Sequence, residues 1–167
     1  MVRFKELLKR LKDCDVEFFV IGGVAASILG SPLPTLDVDV CAPMHDENLR
    51  KILDALRDVR PRLRMRPDKM PLPDDLDRLR GIKNIYLVTD IGPIDLLHEV
   101  PGIGSYADVA ARTVMLDLGG FACRVLDLDT LIASKKKAAR PKDHAAVMQL
   151  EAIKRVQERD AKKDPPA

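Results

Sequence analysis

The run Leu36-Asp37-Val38-Asp39-Val40 constrains the fold of this chain more than any other segment. Side chains alternate along a strand, so Leu36, Val38 and Val40 share one face and Asp37 and Asp39 share the other. One face is apolar and suited to packing; the other is acidic. Two carboxylates that close together raise each other's pKa and cost stability unless a cation joins them. Asp-x-Asp alone says little, because the chain has 20 aspartates and four such pairs. Asp13/Asp15 falls in the turn after a first helix and Asp75/Asp77 in a proline-rich stretch. Asp127/Asp129 precedes a helix, where carboxylates favour the positive end of the dipole. Only Asp37/Asp39 lies inside an apolar strand. Asp95 is a third carboxylate in the same setting, between Ile94 and Leu96-Leu97. If the two strands are neighbours, three hard oxygen donors converge. They suit Mg²⁺, the ion usually paired with a nucleotide's phosphates, and suffice for two ions in an in-line displacement. The alternative is a solvated sheet face or edge.

The remaining pattern predicts what surrounds these strands. Phe4, Leu7, Leu8 and Leu11 recur at helical spacing among basic residues, giving an amphipathic opening helix. Val16–Ile21 reads as a buried strand. Gly22-Gly23 ends it, and Val24–Leu29 is a short helix closed by Gly30 and Pro32. Glu47–Val59 is a second amphipathic helix. Residues 60–80 carry Pro61, Pro67, Pro71 and Pro73 among many charges and read as an irregular excursion. Ile85–Thr89 and Ile94–Leu97 form a hairpin, as do Val114–Leu118 and Phe121–Val125 around Gly119-Gly120. Tyr106–Arg112, Thr130–Ala139 and Asp143–Arg159 are helices, the last two separated by Pro141. The expected class is α/β, a mixed sheet flanked by helices, in a single domain over residues 1–160 with a frayed tail at 161–167.

Gly22-Gly23 lets the backbone approach a ligand closely, and exposed helix N–H groups attract phosphate. By itself this is an ordinary strand-to-helix turn. Followed by the acidic strand, it sets a phosphate cradle beside a metal site. Phe19-Val20-Ile21-Gly22-Gly23-Val24-Ala25-Ala26, then Gly30-Ser31-Pro32, then Thr35-Leu36-Asp37-Val38-Asp39-Val40 resembles the nucleotidyltransferase motif of the DNA polymerase beta superfamily. The likeness is greatest to the minimal bacterial branch that includes toxin–antitoxin nucleotidyltransferases. Ile94-Asp95-Leu96-Leu97 resembles that branch's third-carboxylate strand, and Asp129–Lys135 with Arg140-Pro141-Lys142-Asp143 its C-terminal helix pair.

The resemblance implies a polymerase-beta-like nucleotidyltransferase fold. It implies Mg²⁺, two ions, on Asp37, Asp39 and Asp95, with a nucleoside triphosphate such as ATP held partly at Gly22 and Gly23. Lys135 matches a lysine that faces the phosphates. Asp143 matches an aspartate that positions the nucleotide or that lysine. The implied reaction passes a nucleoside monophosphate to an acceptor hydroxyl on a tRNA 3′ end, a partner protein or a small molecule such as an aminoglycoside. A non-catalytic nucleotide-binding module acting through a protein partner is the alternative. Relatives often carry Arg where this chain has Leu33, and a basic or polar residue where it has Leu36.

Composition limits the other classes. A net charge of +2 is too small to imply nucleic-acid binding by itself. The basic run Lys135, Lys136, Lys137, Arg140 and Lys142 reads as a solvated helix face or, in its functional version, as Lys135 turned inward to phosphate with the rest outside; Arg60, Arg62, Arg64, Arg66 and Lys69 read as a charged linker, with a mobile flap over the acceptor as the alternative. Neither interleaves aromatics, so neither offers a base-stacking platform. Cys14, Cys41 and Cys123 are odd in number and unpaired in motif, so reduced thiols are expected. His45, His98 and His144 show no ligand spacing, though His98 follows the Asp95 strand closely. The charged N-terminus is not a signal peptide, and no apolar run is long enough to span a membrane. A cytoplasmic protein of undetermined oligomeric state is expected.

Overall fold

The opening stretch forms α1 (Phe4–Asp13), with Leu7, Leu8 and Leu11 fully buried in this computed structural model. The structure describes residues 3–138 and 140–163, without the Lys142 side chain. After α1 come β1 (Phe19–Ile21), α2 (Gly22–Ile28), β2 (Val38–Cys41) and α3 (Asp46–Leu56). A short β3 (Arg62–Leu63) precedes the hairpin of β4 (Asn84–Thr89) and β5 (Gly92–Leu97). Two small strands, β6 (Glu99–Val100) and β7 (Gly104–Ser105), lead into α4 (Tyr106–Ala110). A second hairpin, β8 (Thr113–Asp117) and β9 (Ala122–Leu126), is followed by α5 (Leu128–Ala138) and α6 (Pro141–Lys163).

Seven strands form one sheet in the order β3-β4-β5-β2-β1-β9-β8. It is mixed: β2–β5 and β1–β9 are parallel, the other pairs antiparallel. This is the α/β class that the two hairpins demanded. Along the central strands, Val38, Val40, Ile94, Leu96 and Leu87 are fully buried on one face. Helices α1 and α3 pack on each other, and α1 meets β5. Each of the three α1 leucines contributes roughly 1.5–3 kcal/mol through burial. On the other side α2 packs on β2, α5 on α2, and α6 on α5. Helix α4 closes over β1, where Tyr106 stacks on Phe19 with ring centroids 4.2 Å apart.

Several boundaries differ from the sequence expectation. The acidic strand begins at Val38, so Leu36 does not join Val38 and Val40 in the core; it is 80% exposed. A strand that had included Leu36 would also have committed Asp37 to the ladder, whereas Asp37 lies just before it. The Val16–Ile21 strand is limited to Phe19–Ile21, and α3 ends at Leu56 with a tighter turn through Val59. The expected frayed tail is helical to Lys163, and residues 164–167 lie outside the described residues, as does Ala139. Pro141 opens α6 rather than merely separating two helices, as suits a residue with a helical φ and no N–H to satisfy. Gly119 and Gly120 both hold positive φ in the β8–β9 turn, the conformation such a two-residue connection needs.

Candidate functional site

Parallel pairing of β2 with β5 sets Asp39 directly opposite Asp95. Both side chains leave the same face of the sheet, opposite the buried Val38, Val40, Ile94 and Leu96. Asp37 precedes the strand on the same parity. One carboxylate oxygen from each of Asp37, Asp39 and Asp95 lies within 4.8 Å of the others. Oxygens sharing one octahedral Mg²⁺ lie at most about 4 Å apart, given bonds of roughly 2.1 Å. Modest side-chain rotation would therefore let all three share an ion.

The turn before α2 fits around this cluster. Gly22 has φ +63°, and a Cβ there would come 2.1 Å from Asp39 Oδ2. Only glycine leaves room for that carboxylate. A Cβ at Gly23 would meet Thr35 Oγ1 at 2.4 Å. The Gly23 N–H faces the Asp39 carboxylate and favours its charged form.

Burial, then the neighbouring Asp37 and Asp95 charges, push the Asp39 carboxyl up to about 6, against the pull of the Gly23 N–H and Lys135. Asp95 is also raised, chiefly by burial, with Arg64 pulling it down and Asp37 pushing it up. Crowded, partly buried carboxylates of this kind need a cation to be ionised together. One is present: the Arg64 guanidinium. Its Nη2 lies 2.6 and 2.5 Å from the two Asp95 oxygens, and its Nη1 lies 3.5 Å from Asp37 Oδ2. A cation drawn from the chain itself thus stands at the carboxylates, beside a glycine turn whose missing Cβ leaves room for Asp39. The donor set, three converging carboxylates, fits a hard divalent ion.

Lys135 and Asp143 also come together. Lys135 Nζ is 3.3 Å from Asp143 Oδ1, and the two side chains are 12% and 4% exposed. Arg140 Nε bonds Asp143 Oδ2 at 2.7 Å. Burial pushes the Asp143 carboxyl up, but these two cations outweigh it and hold it below its ordinary value. Lys135 acts on Asp39 through its charge. Asp143 therefore anchors Lys135 near the triad.

The remaining candidates lie apart. His98 has the opposite parity to Asp95 and sits 3.5 Å from Glu99. Cys41 and Cys123 are buried, which pushes their thiols up to about 12 and about 11; with Cys14, all three are free. Arg66 pairs with Asp68 and Arg60 with Asp90, as a charged linker would have it, but Arg62, also on Asp90, lies in β3, so there the linker reading is corrected. It fails too for Arg64, the residue that sequence reasoning missed. The signal was there: Pro61, Leu63 and Met65 alternate with Arg60, Arg62, Arg64 and Arg66, a strand-like pattern inside the proline-rich stretch. The Arg64 N–H donates to the Tyr86 carbonyl, extending the β3 ladder by one residue. Because Tyr86 pairs with Asp95, the side chain is delivered to the acidic face. Cavities of about 950 and 320 Å³ lie along the 50–86 region, and neither is lined by the triad.

No family model matches the chain, and no curated protein sequence matches it. Solved structures do. The lincosamide antibiotic adenylyltransferase LnuA, with lincomycin bound, superposes with a TM-score of 0.62 at 14% identity, covering 91% of this chain and 98% of LnuA. A candidate nucleotidyltransferase from Thermotoga maritima gives a TM-score of 0.54 at 15% identity, covering 95% and 96%. The chain has the minimal nucleotidyltransferase fold. No helix among the described residues is long and apolar enough to cross a membrane.

Proposed function

We propose that this chain is a Mg²⁺-dependent nucleotidyltransferase that moves a nucleoside monophosphate from an NTP to an acceptor hydroxyl. The observation that carries this reading is the convergence of Asp37, Asp39 and Asp95 on one sheet face, against the Gly22-Gly23 turn. Asp37, Asp39 and Asp95 would hold the metal, which when bound neutralises phosphate charge and makes the α-phosphorus more electrophilic. In the reaction an acceptor oxygen bonds to that phosphorus, the bond to the bridging oxygen of the β-phosphate breaks, and pyrophosphate leaves. The acceptor proton would pass to the ionised Asp95 carboxylate, whose proton affinity burial raises. Lys135, anchored by Asp143, stabilises charge on the leaving pyrophosphate. Gly22 and Gly23 let the phosphates approach the backbone.

Two observations favour a small hydroxylated molecule as acceptor over a tRNA 3′ end. Arg60, Arg62, Arg66 and Lys136 are paired with carboxylates within the chain, which weakens them as phosphate contacts. The structural neighbour LnuA acts on a lincosamide antibiotic. A cytoplasmic setting, where nucleoside triphosphates are available, goes with this reading. A toxin–antitoxin role would require tRNA or a protein as acceptor.

Incubation with Mg²⁺ and each labelled NTP, offered aminoglycosides and lincosamides, tRNA or cell-extract protein, tests all three. Label on a small molecule, lost in Asp39→Ala, is expected. Label on RNA or protein would overturn the acceptor assignment. Transfer that persists in Asp39→Ala would overturn the site. A rise in melting temperature with Mg²⁺ and NTP but no transfer to any acceptor would mean a binding module instead.

A further inference from the structure

The Arg64 backbone is held on the β3 ladder through Tyr86, whereas the contacts of its guanidinium are to the Asp95 and Asp37 carboxylates. Its guanidinium binds both oxygens of Asp95 and reaches Asp37, yet the side chain is 30% exposed. It stands at the end of a two-residue strand, and the chain turns away immediately after it. Lys135 differs: it is 12% exposed and held by Asp143. Both Asp95 oxygens accept from the one Nη2, while Nη1 reaches Asp37. A divalent ion bound to the same oxygens would also stand beside the positive guanidinium, which disfavours sharing.

We propose that Arg64 is the resident counter-cation of the triad, and that a divalent ion gains Asp95 only by displacing it. This inference rests on the metal reading of Asp37, Asp39 and Asp95. Arg64 then acts as a positioning residue, setting how tightly the site takes metal before nucleotide arrives. The exchange conserves the logic of the site: the carboxylates always have a cation, first from the chain and then from solution. By linkage, each cation weakens the other's hold on Asp95 by the same factor.

The test is a Mn²⁺ titration of the full chain without nucleotide, reading free Mn²⁺ by electron paramagnetic resonance. Arg64→Ala is expected to tighten Mn²⁺ binding about tenfold, within the span usual for two coupled ligands. Arg64→Lys, which keeps the charge but loses the two-pronged geometry, is expected to fall between. Asp39→Asn should remove binding in either background. Equal or weaker binding in Arg64→Ala, with Asp39→Asn still abolishing it, overturns the exchange and leaves the metal site standing. No saturable Mn²⁺ binding in the wild type or in Arg64→Ala overturns the metal reading itself. The wild type gives a second readout independent of whether Arg64→Ala folds. The Arg64 Nε–H resonance, assigned through its loss in Arg64→Lys, should shift as Mg²⁺ saturates the site; an unmoved resonance would overturn the exchange.

Discussion

Asp39→Asn should stabilise the metal-free protein at neutral pH while destroying its response to metal. In the unfolded chain Asp39 titrates near 3.8, and in the folded chain near 6, for the reasons of burial and crowding given above. The folded state therefore holds the Asp39 proton over a pH range in which the unfolded state has already released it. Stability contributed by that proton is present below about 3.8, falls as pH rises through the interval, and is gone above about 6. A rise of about two units corresponds to roughly 3 kcal/mol. Partial access of water to the site reduces this to about 1–3 kcal/mol. Asparagine removes the charge at nearly unchanged size and shape. At pH 7.5 without divalent ions, the substitution should raise the melting temperature by about 3–10 °C, given the usual 2–4 °C per kcal/mol for a chain of this size. Adding Mg²⁺ should then raise the wild type and leave the variant unmoved. Calorimetry at pH 7.5 and pH 4 checks both halves, because the gain should shrink at the lower pH. A variant destabilised without metal, or one that still gains stability from Mg²⁺, would refute the reasoning.

Divalent binding by the wild type should weaken about tenfold per pH unit below about 6 and level off above 7, since the Asp39 carboxyl must ionise to ligate; calorimetric titration across pH checks this. Gly22→Ala should cost about 1–2 kcal/mol for its left-handed backbone and abolish Mn²⁺ binding, because the new Cβ takes the place of Asp39 Oδ2; denaturant unfolding and ion titration read the two effects. Lys135→Met should lower kcat/KM for the NTP on the order of a hundredfold, and, because it leaves the buried Asp143 with Arg140 alone, should destabilise the fold by about 1–3 kcal/mol in denaturant unfolding. Asn48→Ala should destabilise by about 3 kcal/mol and spare metal affinity. The Asn48 side chain accepts the Glu17 N–H and donates to the Glu17 and Pro43 carbonyls, with no hydrogen bond to the triad.

The parts of the site carried by local pattern were legible in the chain. Apolar alternation around Asp39 and Asp95 revealed two strands with acidic faces, and their register then follows from pairing. Gly22 could be recognised as a turn, but not the reason it must be glycine: the 2.1 Å approach to Asp39 depends on how α2 meets β2. Leu36 was misread because alternation gives parity and not the point where a strand starts. Arg64 was missed for a related reason. Charge and proline dominate its neighbourhood, and the contact that matters spans 31 residues, from Arg64 to Asp95. Nothing local distinguishes it from Arg60, Arg62 or Arg66, which pair elsewhere.

Anomalous diffraction from crystals grown with Mn²⁺ and a non-hydrolysable NTP examines the metal assignment directly. A manganese peak bound jointly by oxygens of Asp37, Asp39 and Asp95, with triphosphate oxygens completing its shell, is the predicted result. Manganese and nucleotide bound away from those three carboxylates, or manganese absent from them while Arg64 still holds Asp95, would contradict it.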